Sequence, residues 1–142
     1  MKALFEFFVR IVSSLRFIPE LLSRFTIGFV FAESGWGKLH HLPKTVEFFT
    51  SLGIPYSHIQ APLVGGLEFF CGVLIFLGLA TRLASIPLIA ILIVAIKTAK
   101  ADELTGLSAI LGISEYLYII VLFWLLTEGA GRLSVDSLLR KK

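Results

Sequence analysis

Residues 83–96 read LASIPLIAILIVAI, and Ser85 is the only polar side chain among them. A helix on the surface of a water-soluble domain needs a polar stripe facing solvent. This stretch has none, so it must be enclosed by protein or by lipid. The chain has 142 residues, room for one domain, and a chain this short cannot enclose all its helices in protein. Composition points the same way. Hydrophobic residues make up 56% and charged residues 16%, with a mean hydropathy of +0.89, whereas soluble domains carry about a quarter charged residues. The expected fold is therefore all-α: a polytopic membrane protein built as a four-transmembrane-helix bundle.

Working outward, four windows reach the roughly 20 residues that a spanning helix requires: 21–39, 61–80, 83–99 and 107–127. None is free of charge. The second holds Glu68 against eleven Leu, Ile, Val or Phe residues. At about −0.3 to −0.6 kcal/mol each, these outweigh one carboxylate at about +2.5 to +3.5 kcal/mol. The punctuation agrees. Pro19 precedes the first window, Thr81-Arg82 leaves only a tight turn between the second and third, and Gly129-Ala130-Gly131 closes the fourth. Pro87, one turn into the third, is placed to bend it.

Four spans put both termini on the side of the 81–82 turn. That side carries Lys2, Arg10, Arg16, Arg24, Arg82, Arg132, Arg140, Lys141 and Lys142, nine of the thirteen basic residues; Lys38, Lys44, Lys97 and Lys100 fall on the other. The positive-inside rule then makes both termini, including a tail over 128–142, cytoplasmic. Residues 1–18 form an amphipathic segment, with Lys2, Glu6, Arg10 and Ser13 opposite Leu4, Phe8, Ile11 and Leu15. This suits a helix lying in the interface. A cleaved signal peptide fits less well, since the charges are interspersed and no small-residue cleavage site follows. In the outer loop, Val46, Phe49 and Leu52 share a face over 45–52 and Gly53 can end that turn.

Ionisable groups within a membrane are costly and tend to face the bundle interior with partners. On the first span Arg24, Gly28, Phe31, Gly35 and Lys38 recur along one face, while Glu33 points roughly the other way and suits a different helix or another subunit. Gly65, Glu68 and Gly72 share a face of the second span, and Gly112 and Glu115 a face of the fourth. The expected helix-packing residues are thus Gly28, Gly35, Gly65, Gly72 and Gly112, small residues that let backbones approach. Glu33, Glu68 and Glu115, with Lys38 and Lys97 above them and Arg24 on the shared face, make a candidate polar cluster for a ligand or a proton. Salt bridges that fix helix packing are the plain alternative, and Lys38 and Lys97 also suit helix C-termini. His40, His41 and His58 form a weaker candidate metal site in the outer loop. Cys71 is the single cysteine, so no thiol pair exists for disulfide exchange, and nothing resembles a nucleic-acid groove.

Several blocks resemble one known family: Arg24-Phe25-Thr26-Ile27-Gly28, Gly35-Trp36-Gly37-Lys38-Leu39, Leu52-Gly53-Ile54-Pro55, and Glu68 with Gly72 and Gly78. So do Gly78-Leu79-Ala80-Thr81-Arg82, Glu115-Tyr116 and Gly129-Ala130-Gly131-Arg132-Leu133-Ser134-Val135-Asp136. In order and spacing, over about residues 21–136, they resemble the DoxX family. The resemblance implies a small four-helix protein of the bacterial inner membrane. Some members are associated with quinone-linked redox or oxidative-stress complexes, and others with copper-binding peptide systems. The leading expectation is an accessory subunit or anchor of such a redox complex, with a polar pocket in the outer half of the bundle. The alternatives are a transporter or handling factor for copper or a metal-binding peptide, and a structural membrane scaffold. No histidine lies within a span to ligate haem, and no glycine-rich nucleotide loop is present. The chain itself therefore supplies no cofactor motif, and electron transfer would need a quinone or a cofactor-bearing partner. The expected partners are the lipid bilayer, a redox partner in the membrane or periplasm, and a second copy of the chain.

Overall fold

The computed structural model describes residues 2–15, 17–131 and 134–139, with the backbone alone for residues 2–4 and 103. Arg16, Arg132, Leu133, Arg140, Lys141 and Lys142, and the side chains of Lys2, Leu4 and Glu103, lie outside the described residues. The order is α1 (Lys2–Ser14), α2 (Phe17–His40), α3 (Leu42–Ser51), α4 (Ser57–Leu77), α5 (Thr81–Ala99), a 3-10 turn (Ala101–Glu103), α6 (Leu107–Gly112), α7 (Ser114–Glu128) and α8 (Val135–Leu139). Among the described residues there is no strand. The four main helices close a ring: α2 packs on α4, α4 on α5, α5 on α7, and α7 back on α2.

Of these, α4 and α5 are long and apolar enough to cross a membrane by length and composition, with mean hydropathies of 1.8 and 1.9. The other two expected spans, 21–39 and 107–127, do not meet that test. α2 is long, at 24 residues, but carries Glu20, Arg24, Glu33 and Lys38. The window 107–127 is not one helix. α6 stops at Gly112, Ile113 is extended (φ −79°, ψ 139°), and α7 starts afresh at Ser114. Glycine is the weakest helix former after proline, and Glu115 in the first turn of α7 suits a new helix N-terminus. At 1.5 Å per residue the 15 residues of α7 cover roughly 22 Å, short of a hydrocarbon core of about 30 Å.

The closest packing runs along α2 and α4. Gly28 and Gly35 on one helix face Gly72 and Gly65 on the other, antiparallel and each pair seven residues apart. A Cβ on Gly28 would lie 2.6 Å from the Phe76 nitrogen, and one on Gly72 would lie 2.8 Å from the Gly28 carbonyl oxygen. Only hydrogens fit there, so the backbones touch directly, as small residues permit between membrane helices. Beneath this seam Ile27, Phe31, Cys71, Ile75, Ala84, Leu88, Leu92, Leu122 and Leu125 form the buried core. Gly112, in contrast, has open space around it and packs against nothing.

Two glycine caps close α3 and α4. Gly53 (φ 71°) follows α3, with its N–H donating to Thr50 and that of Ile54 to Phe49. Gly78 (φ 70°) repeats the pattern after α4, its N–H donating to Ile75 and that of Leu79 to Leu74. This double closure satisfies carbonyls that the helix end leaves over. α1 is exposed along every face from Phe5 to Ser14.

Candidate functional site

The polar residues of the bundle gather in two places, at the opposite ends of α2. Near its C-terminus, Lys38 forms an ion pair with Glu68 of α4. The Lys38 ammonium also donates to Ser34 Oγ at 2.8 Å, and Ser34 Oγ donates to Glu68 Oε2 at 3.0 Å. Glu68 is 4% exposed, whereas the Lys38 side chain keeps 26% of its surface. The glycine seam builds this triad. Gly65 lies one turn before Glu68 and lets Lys38 cross over it, with the Lys38 Cβ 3.2 Å from where a Gly65 Cβ would stand. The three groups make a buried carboxylate held by two donors, with an ammonium that reaches the surface.

The wider cluster expected around this pair does not assemble. Glu33 is exposed and away from the seam, and Lys97 is exposed on α5. Glu115 is half-buried and accepts from its neighbour Ser114 at 3.2 Å, not from a shared base. The break at Ile113 is the reason, because it removes the continuous helix on which that placement rests. His40, His41 and His58 are all exposed. Among the described residues no group of three His, Cys, Asp or Glu side chains is placed to hold a metal ion. His40 folds back on its own helix, its ring 3.9 Å from that of Trp36 and its Nδ1 3.1 Å from the Trp36 carbonyl. Ser34 was absent from the sequence expectation. Its position one turn before Lys38 was the available signal.

Arg24 belongs to the second cluster, some 14 positions down the same face, and not to the first. It is 3% exposed, and its guanidinium donates to the Ala130 carbonyl. It also packs over Gly78, where a Cβ would lie 2.6 Å from Arg24 Nη1. Asp136 completes this end. Its carboxylate accepts the N–H groups of Ala80 (2.9 Å) and Thr81 (3.4 Å), and its own N–H donates to the Gly78 carbonyl at 3.0 Å. Ala80 holds a left-handed conformation (φ 49°) at the entry to α5, so the first turn of that helix is capped from a segment 55 residues away. Arg82 then reaches across to the carbonyls of Thr127 and Glu128. An open cleft of about 600 Å³ lies here, bordered by Glu20, Arg82, Glu128 and Asp136.

Asp136→Ala should therefore cost about 1 kcal/mol, the usual value of a lost N-cap acceptor. Ser137→Ala, beside it, should cost less, since the Asp136 cap remains. Thermal unfolding of both variants in one mild detergent checks this. Equal effects would mean that the carboxylate does not cap α5.

The family model described as DoxX matches residues 20–101, the stretch that holds most of α2, all of α3 to α5 and the whole Lys38–Glu68–Ser34 triad. The chain is 32% identical to "Putative oxidoreductase CatD" of Bacillus subtilis (strain 168), over 87% of its own length and 89% of the relative's. It is 30% identical to "Uncharacterized membrane protein Rv3486" of Mycobacterium tuberculosis, over 84% and 80%. An "Uncharacterized protein" of Haemophilus influenzae is 28% identical, over 87% and 85%. No solved structure matches. The chain is a membrane protein of the DoxX family.

Proposed function

We propose that this protein is an accessory subunit or anchor of a quinone-linked redox or oxidative-stress complex in the bacterial inner membrane. In this reading α2 and the broken α6–α7 pair complete a four-span bundle with α4 and α5, and both termini are cytoplasmic. The nine-to-four division of basic residues supports that orientation. The Lys38 end then faces outward, and the triad there is the observation that carries the reading. An ammonium has three donors. Lys38 gives two to Ser34 and Glu68, and its exposed surface leaves one for the carbonyl oxygen of a head group. The fit is to a neutral oxygen acceptor and not to a soft metal, which prefers thiolate or thioether ligands. The oxidoreductase name of the Bacillus subtilis relative agrees with a redox setting. Bound quinone would supply the electron chemistry, while Lys38 would orient it and Glu68 would hold the lysine.

Solvent extraction for quinone and metal analysis, made on one sample purified in mild detergent, test this. The expected result is quinone near one per chain and no stoichiometric copper. Copper that is lost on replacing His40 and His41, with no quinone, would overturn the reading in favour of metal handling. Orientation has its own check in a Cys71→Ala background. A cysteine at Tyr56 should react with an impermeant reagent from outside, and one at Leu138 should not. Both residues are well exposed, at 72% and 67%.

A further inference from the structure

The outward face of α2 contains a carboxylate that no other side chain among the described residues serves. Leu22, Phe25, Phe29 and Trp36 are all exposed, between 39% and 58%, and recur at the spacing of one helical face. Glu33 stands in the middle of that stripe, also exposed. Among the described residues it has no hydrogen bond and no ion pair. Seven residues separate it from His40, the end of α2, which is about 10 Å at 1.5 Å per residue. A glutamate side chain is too short to cover that distance to the interface. A polar group facing hydrocarbon at such depth needs a partner, and the partner must offer its polar atom at the same depth.

We propose that this face joins two copies of the chain about a twofold axis along the bilayer normal, with the two Glu33 carboxyls hydrogen-bonded to each other. The inference rests on the reading that α2 spans the membrane. Under such an axis identical residues meet at equal depth by symmetry, and the interface is self-complementary. A carboxyl group both donates and accepts when protonated and accepts when ionised, so one proton between the two groups links them. Phe29 and Trp36, one turn to either side, close the stripe around the pair. The exposed charge of α5 does not compete for Glu33. Lys97 lies two residues from the end of its helix, at the rim and not at this depth.

The Glu33 side chain is exposed and makes no hydrogen bond or ion pair among the described residues, so its variants should fold. Glu33→Gln keeps a group that donates and accepts, and should keep the dimer in native mass spectrometry from mild detergent. Glu33→Leu should raise the dissociation constant about tenfold, the scale of an interhelical hydrogen bond in a membrane. In native membranes and a Cys71→Ala background, Phe29→Cys should oxidise to a covalent dimer of the chain. Leu63→Cys, equally exposed at 58% but on α4, should stay monomeric. Unchanged dimer in Glu33→Leu, cross-linking at Leu63 alone, or an adduct of Phe29→Cys with a different protein would overturn the proposal. An impermeant maleimide separates the two readings. Reaction at Phe29→Cys would overturn the spanning helix itself, whereas a cysteine there that is protected and still does not cross-link would overturn only the dimer.

Discussion

Gly72→Ala is expected to lower the stability of the protein by about 3 kcal/mol, the upper end of the range for overpacking a core. The single added carbon would stand 2.8 Å from the Gly28 carbonyl oxygen and 2.9 Å from the Phe31 carbonyl carbon. These are backbone atoms of a helix, and they cannot turn aside as a flexible side chain would. Gly28→Ala should cost as much, since its Cβ would meet the Phe76 nitrogen and Cα at 2.6 and 2.7 Å. Gly65→Ala should be milder. Its neighbours are the side chains of Lys38 and Leu39 at 3.2 and 3.3 Å, which can yield a few tenths of an ångström. Gly37 and Gly66 sit on the same two helices with nothing within 4 Å. Alanine there should be neutral or stabilise by up to about 1 kcal/mol through helix propensity. Thermal unfolding in a single detergent reads the series, with a drop of roughly 10 °C expected for Gly72→Ala. If Gly72→Ala and Gly66→Ala unfold at the same temperature, the α2–α4 seam is not packed as described.

That seam could be read in advance because its signal is local. Gly28 and Gly35, like Gly65 and Gly72, lie seven residues apart on one helix, and a period of two turns names a face without knowledge of the partner. The same face misled for Arg24. A stripe says nothing about distance along the axis, and the fourteen residues between Arg24 and Lys38 amount to about 21 Å. The two cations therefore serve opposite ends of the bundle. Glu115 failed for a different reason. Its placement assumed that residues 107–127 form one helix, and the pattern of apolar residues does not reveal that the chain straightens at Ile113. Asp136 could not have been found from periodicity at all. Its acceptor role depends on Ala80 and Thr81, more than fifty residues away, coming to the same end of the fold. Ser34 lay in plain view next to Gly35, but a serine in an apolar helix more often bonds its own backbone and is easily passed over.

The triad gives the second large effect, and its two charged members should not respond alike. Lys38→Met leaves a carboxylate that is 4% exposed with only Ser34 to hold it. Removing one partner of a fully buried ion pair costs about 3–5 kcal/mol. The Lys38 side chain retains 26% of its surface, so water already weakens the pair, and a loss of about 2–3 kcal/mol is the expected result. Glu68→Gln should cost about half as much. The amide still accepts from Ser34, and Lys38 can swing outward and recover its hydration. The double variant, Lys38→Met with Glu68→Gln, should cost less than the sum of the singles, because it leaves no buried charge behind. Glu47→Gln, on the exposed face of α3, should change stability by no more than about 0.5 kcal/mol. Unfolding of the four variants under one set of conditions decides the matter. If the single costs simply add in the double variant, Lys38 and Glu68 do not act on each other. The buried carboxylate would then owe its place to Ser34 alone.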